Sequence, residues 1–200
     1  STGPSGLTLP GSSTDNAAVR WNGTGGNSIQ NSALIVDDSG NLNLGSGNIT
    51  STGLMNIPTP FCRVYQSVGV SYTTGVTFQR VYFDSEQDDA GGWHDTVTNN
   101  DRITPTSTGL YMIVAQAAFA NNSTGDRAVR IVHQSSGVVV TQTIVRATIN
   151  NACRFMCLGF YQTTTTSDYF IMDVYQDSGG NLQLNGGSNQ TIFTVVRLSS

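Results

Sequence analysis

Over the C-terminal two thirds of the chain, apolar and polar residues change places in short runs with a period of two. These runs predict strands over 63–70, 76–84, 103–106, 110–120, 127–134, 138–146, 154–162, 169–176 and 191–198, since alternation sets one face of each against a core. Turn-forming stretches such as Ser135-Ser136-Gly137 and Asp177-Ser178-Gly179-Gly180 separate them. No helical periodicity of any length interrupts the series, so the pattern predicts an antiparallel sandwich. One run departs from simple alternation. In residues 110–120, Tyr111, Ile113, Ala115, Ala117 and Phe119 make one apolar face, and Leu110, Met112, Val114 and Ala118 make the other, with Gln116 the only strongly polar side chain. A buried helix is the competing reading, but Pro105 and Gly109 before the run and Asn121, Asn122, Ser123 and Gly125 after it favour a strand. A strand needs one apolar face for its own sandwich. The second face demands another partner, most economically another subunit.

Residues 1–60 differ in kind. Gly, Ser, Thr and Asn dominate, and the turn pairs Asn22-Gly23, Gly25-Gly26, Ser39-Gly40 and Gly45-Ser46 recur every few residues. Short β-capable runs stand between them: Ala17-Ala18-Val19-Arg20-Trp21, Ile29, Ala33-Leu34-Ile35-Val36 and Leu42-Asn43-Leu44. Such a segment has too little apolar surface to fold as one copy, so an extended β-rich stalk of several intertwined chains is expected. Pro58 and Pro60 stiffen the exit and deny a ladder two donors. The expected division is a stalk or anchor over 1–60 and a knob over 61–200.

Composition narrows the partners. The 200 residues carry only 11% charged side chains and a net charge of -4, and all nine basic residues are Arg. Without a basic tract, neither nucleic acid nor an anionic membrane is an expected partner. The polar start reads as neither a signal nor a transit peptide, which leads to an expectation of assembly in a cytosol. Cys62, Cys153 and Cys157 form no disulfide framework. Cys153 and Cys157, four residues apart on one strand, would be separated by about 13 Å, too far to bridge.

Two stretches resemble known families. Residues 13–44, STDNAAVRWNGTGGNSIQNSALIVDDSGNLNL, resemble a module of bacteriophage and prophage tail-fibre and other virion surface proteins. The stretch Thr108-Gly-Leu-Tyr-Met-Ile-Val-Ala-Gln resembles the Gly-Leu-Tyr strand of the complement globular-head and tumour necrosis factor superfamily, and Gln190-Thr-Ile-Phe-Thr-Val-Val-Arg-Leu resembles its closing strand. Val81-Tyr82-Phe83-Asp84, His94-Asp95, Ile103-Thr104 and Ser167-Asp168-Tyr169 fall in that family's order. The resemblance implies an all-β, ten-stranded antiparallel jelly roll that trimerises about a threefold axis. Leu110, Met112, Val114 and Ile192 would then form the trimer interface, with Tyr111, Phe119 and Phe193 in the sandwich core. The collagen-like repeats and paired cysteines of many animal members are missing, so animal functions do not carry over.

Candidate chemistry is thin. His94 beside Asp95 could be read as a base, but a histidine in a turn is ordinarily solvated. Asp84, Glu86, Asp88 and Asp89 could offer oxygens to calcium, yet lack the spacing of any known ligand loop, which leaves a solvated acidic loop as the simpler reading. Exposed Trp93 and Tyr72 could stack on a sugar; Trp93 could equally cap one end of the sandwich. Neither a cofactor nor a metal is expected. The whole suggests a non-enzymatic, homotrimeric bacteriophage virion protein: a capsid decoration, cement or head-fibre protein gripping other virion structural proteins through Trp21, Leu34 and Val36. A tail-fibre tip recognising a host-surface glycan or protein is the alternative, and a depolymerase a distant third.

Overall fold

The computed structural model describes residues 17–21, 29–36 and 42–43 as backbone, and residues 60–75, 77–147 and 152–199 in full. The chain divides into two units, Ser1–Ile57 and Pro58–Ser200.

In the first unit β1 (Ala17–Trp21) pairs antiparallel with β2 (Ile29–Val36), and β2 pairs with β3 (Leu42–Asn43). The β-capable runs therefore find ladder partners within one chain, Trp21 opposite Ile29 and Val36 opposite Leu42. The side chains of Trp21, Leu34 and Val36 lie outside what is described.

The second unit is a sandwich of two antiparallel sheets. The larger contains β4 (Phe61–Tyr65), β5 (Val70–Tyr72), β7 (Ser85–Asp89), β9 (Gly109–Phe119), β12 (Cys153–Thr163), β14 (Leu182–Leu184) and β15 (Ile192–Ser199), with β12-β9-β15-β4-β7 side by side. The smaller contains β6 (Gln79–Arg80), β8 (Arg102–Ile103), β10 (Asp126–His133), β11 (Val138–Arg146) and β13 (Phe170–Gln176), with β11-β10-β13 side by side and β6 and β8 paired to β13. Among the described residues no helix is long and apolar enough to cross a membrane.

β9 organises the core as its alternation requires. Tyr111, Ile113, Ala115, Ala117 and Phe119 are fully buried, together with Phe193 and Val195 of β15, Val129 and Ile131 of β10, and Phe170, Met172 and Val174 of β13. Aromatic contacts tie the layers: Phe83 stacks on Phe193 with centroids 5.7 Å apart, and Trp93 meets Tyr111 edge-on at 5.7 Å. The Tyr111 hydroxyl donates to the Ser107 carbonyl at 2.6 Å. Glycine is required where β9 begins, because Gly109 has φ 148° and a Cβ there would sit 2.2 Å from the Ser199 carbonyl oxygen.

Four expectations need correction. The strand over 76–84 contracts to β6, and the pairing moves to Ser85–Asp89, which had been read as an acidic loop. As β7 that segment is the edge strand beside β4, where charged side chains are the usual protection against further pairing. The run over 63–70 ends at Tyr65, because the chain peels away to give the Ser67 N–H to Asp84 at 2.7 Å and resumes as β5. Tyr72 and Trp93 are buried, at 6% and 4% exposure, and so offer no open stacking platform. His94 is not solvated: its ring is fully covered, with Nδ1 3.0 Å from Glu86 Oε1.

Candidate functional site: an apolar sheet face

The two sheets differ on their outward faces. On the smaller sheet an ion-pair cluster occupies part of that face, beside an apolar strip of Ala128, Tyr175 and Ile144, the last 59% exposed. Arg80 Nε and Arg130 Nη2 donate to the two oxygens of Asp173 at 2.9 and 2.8 Å, and Arg80 Nη1 reaches Asp101 at 2.5 Å. Arg130 also lies over the Phe78 ring, 4.1 Å from its centroid.

The outward face of the larger sheet is apolar, and register makes it continuous. Residues opposite one another on neighbouring strands share a face, so three rungs run across β12, β9, β15 and β4. The first is Phe160, Met112, Val196 and Phe61; the second Leu158, Val114, Thr194 and Arg63; the third Met156, Gln116, Ile192 and Tyr65. Phe160, Leu158 and Met156 are 57%, 48% and 55% exposed, while Leu110, Met112, Val114, Val196 and Phe61 are half-buried. A patch of four adjacent strands and three rungs is large for a lone soluble domain and is the mark of an interaction surface.

Polar groups fence the patch. Gln116 turns its amide to the Asn189 and Gln190 carbonyls at 3.0 and 2.8 Å, and Arg154 reaches Gln190 Oε1 at 2.7 Å. Arg63 stands within the second rung, its Nε buried and without a partner among the described residues.

Of the interface residues expected from sequence, Leu110, Met112 and Val114 lie on this face. Ile192 shares it by register but is already 7% exposed in the single chain. The most exposed members, Met156, Leu158 and Phe160, were not singled out. The signal was present: β12 reads Phe-Met-Cys-Leu-Gly-Phe-Tyr over 155–161, apolar on both faces as β9 is.

Elsewhere the polar groups are committed internally. Asp84 accepts from the Ser67 N–H and hydroxyl, Asp88 from the Ala90 N–H, and Asp89 from the Trp93 and His94 N–H groups. Glu86 faces His94 Nδ1 at 3.0 Å, so each of the four carboxylates is engaged by different groups, and among the described residues no group of three potential metal ligands occurs. His133 is buried with Nδ1 2.6 Å from Ser136 Oγ and Nε2 3.2 Å from Asp168 Oδ1. This trio resembles a hydrolytic relay, but the Gly137 N–H beside the serine is taken by the Gln134 carbonyl, leaving that donor unable to hold an oxyanion. The ring stacks on Tyr161 at 4.2 Å, and the arrangement reads as a core histidine held by Ser136 and Tyr161. The three cysteines are free thiols; burial raises the pKa of each, that of Cys157 to about 12.

No protein family's sequence profile matches the chain, and no curated protein matches it in sequence. Solved structures do match. Murine APRIL at pH 5.0 superposes with a TM-score of 0.53 at 13% identity, covering 70% of this chain and 100% of that one. Murine APRIL at pH 8.5 gives 0.52 at 15% identity with the same coverage. The globular domain of a zebrafish complement 1qA protein gives 0.49 at 12% identity over 68% of this chain and 94% of its own. The APRIL likeness shows the fold alone: the sandwich of β4 to β15 is an all-β jelly roll of two antiparallel sheets, like that of APRIL.

Proposed function

We propose that the chain is a non-enzymatic structural protein of a bacteriophage particle, a homotrimeric capsid decoration or head-fibre protein. Residues 1–60 grip other virion structural proteins, and the jelly roll is presented outward. The observation that carries the trimer is the apolar face of β12, β9, β15 and β4, which extends over three rungs, whereas the outward face of the other sheet carries the Arg80, Arg130 and Asp173 ion pairs. A cyclic arrangement buries this face in every copy while leaving the charged sheet wet. Homotrimerisation is usual among domains of this fold. The phage setting rests on the virion-surface module resembled by residues 13–44. In this reading Trp21, Leu34 and Val36 are the apolar anchors.

Light scattering on the full chain tests assembly: three times the 21.2 kDa chain mass is expected, and a stable monomer refutes it. Attachment is tested separately by offering tagged protein to particles lacking it. Residues 1–75 fused to an unrelated trimer should bind, whereas binding by residues 61–200 alone would overturn the anchor. Saturable binding to host cells, with the protein located at the tail, would replace decoration by receptor binding.

A further inference from the structure

Between β7 and β9 the chain forms an open hollow of about 450 Å³, walled by Trp93, Asp95, Asn99, Arg102, Thr104 and Thr106. We propose that it binds a neutral saccharide. The inference is independent of how the chain assembles and of where it sits on a particle.

The loop is built in advance of any ligand. Asp89 accepts from the Trp93 and His94 N–H groups at 2.9 and 3.1 Å, Asp95 Oδ1 accepts from Val97 and Thr98 at 2.8 Å each, and the Thr104 N–H donates to the Trp93 carbonyl at 2.8 Å. Asn99 holds φ 57°, a conformation asparagine tolerates better than most residues. Trp93 is fixed between Tyr111 and Thr106, its Nε1–H donating to the Thr106 hydroxyl oxygen at 3.3 Å. A binding loop held in this way loses little entropy when a ligand arrives.

What the lining leaves free selects the ligand. Arg102 Nη2 donates to Asn99 Oδ1 at 2.8 Å, and its guanidinium lies 4.3 Å from the Tyr169 ring centroid. Among the described residues, Arg102 Nη1, Asn99 Nδ2, Asp95 Oδ2 and the Thr104 hydroxyl make no hydrogen bond, and the Thr106 hydroxyl keeps its own hydrogen to give. The lining thus offers both donors and acceptors, with Asp95 as its carboxylate and Arg102, whose Nε also meets Asp101 Oδ1 at 3.3 Å, as its guanidinium. Hydrogen bonds from the Thr98 and Val97 N–H groups hold the Asp95 pKa below the usual carboxylate value, so it stays an acceptor at neutral pH. An anion is opposed by Asp95 and a cation by Arg102. A polyol, each hydroxyl of which both gives and accepts, matches the set, and the volume lies within the range of small-molecule sites.

Saturation-transfer NMR and calorimetry on the full chain, with the methyl glycosides of glucose, galactose, mannose, rhamnose and N-acetylglucosamine and with N-acetylneuraminic acid, test this. At least one neutral glycoside is expected to receive saturation. Asn99→Gly keeps the backbone conformation and removes the amide, both its free donor and the acceptor that holds Arg102 Nη2, and Thr104→Val removes a hydroxyl at nearly constant shape. Each should weaken binding about three- to tenfold, the loss of one hydrogen bond, with the mass by light scattering unchanged. No transfer to any neutral glycoside, transfer to the acidic sugar alone, or equal binding by the double variant would each overturn the proposal. Because mass is read on the same samples, failure of sugar binding and failure of trimer assembly are told apart.

Discussion

Leu158→Asp isolates the proposed interface from the fold. Leu158 is 48% exposed in the single chain and sits in the second rung beside Val114, so the substitution removes little from the sandwich core. Fully burying a leucine is worth about 1.5–3 kcal/mol, and with half of the residue already covered an interface would gain roughly 1 kcal/mol per copy. Aspartate forfeits that and places a carboxylate on an apolar surface, at a cost of several kcal/mol if it is buried unpaired. Arg63 in the same rung cannot answer the charge, because three strand spacings put it about 14 Å away. A combined loss of about 5 kcal/mol shifts an association constant by between three and four orders of magnitude. Light scattering across a dilution series should show a monomer where the unaltered chain is trimeric, with strand-rich circular dichroism retained. Val114→Asp, one strand inward, should act in the same direction. Gln142→Asp, exposed on β11 of the other sheet, is the control and should leave the mass unchanged. If Leu158→Asp keeps a trimeric mass at every dilution, the apolar rungs are not the interface.

Three further outcomes follow from the core. At neutral pH in the native state, Cys62 and Cys157 should resist iodoacetamide and react only after denaturation, because burial raises both thiol pKa values; mass spectrometry should find no disulfide, and Cys157→Ala should cost no more than about 1–3 kcal/mol. Gly159→Ala should destabilise by about 1–3 kcal/mol in urea melts, because the new Cβ would lie 2.7 Å from Val140 Cγ1 and 3.1 Å from Thr141 Cγ2, whereas Gly180→Ala, with nothing within 4 Å, should be near neutral. Burial by itself would raise the Asp168 pKa, but N–H donors from Thr164 and Thr165, the Thr165 hydroxyl and the nearby His133 bring it below the usual value. Its stabilisation is complete above the unfolded value of about 3.9 and fades as pH falls through the lower folded value; Asp168→Asn should therefore be less stable at neutral pH and lose less on acidification, and an unchanged acid profile would refute this.

The strands were legible in the sequence wherever alternation was strong. Residues 138–146 were placed with the observed bounds of β11, and the two faces of β9 were assigned with the parity that puts Tyr111, Ile113 and Phe119 in the core. Side-chain direction along a strand is a local property with a period of two, so a run of residues carries it unaided. Local pattern failed where hydrophobicity was silent: the segment Ser-Glu-Gln-Asp-Asp became an edge strand because β4 had an open ladder beside it, not because its residues favour strands. It failed for Trp93, Tyr72 and His94, whose burial comes from side chains distant in sequence or from the fold of a long loop. The apolar face lay between these cases. Its β9 share was readable from one doubly apolar run, but its extent was not. Joining Phe160, Met112, Val196 and Phe61 into one rung depends on the register of three strand pairs, and that register is fixed only when the chain closes on itself.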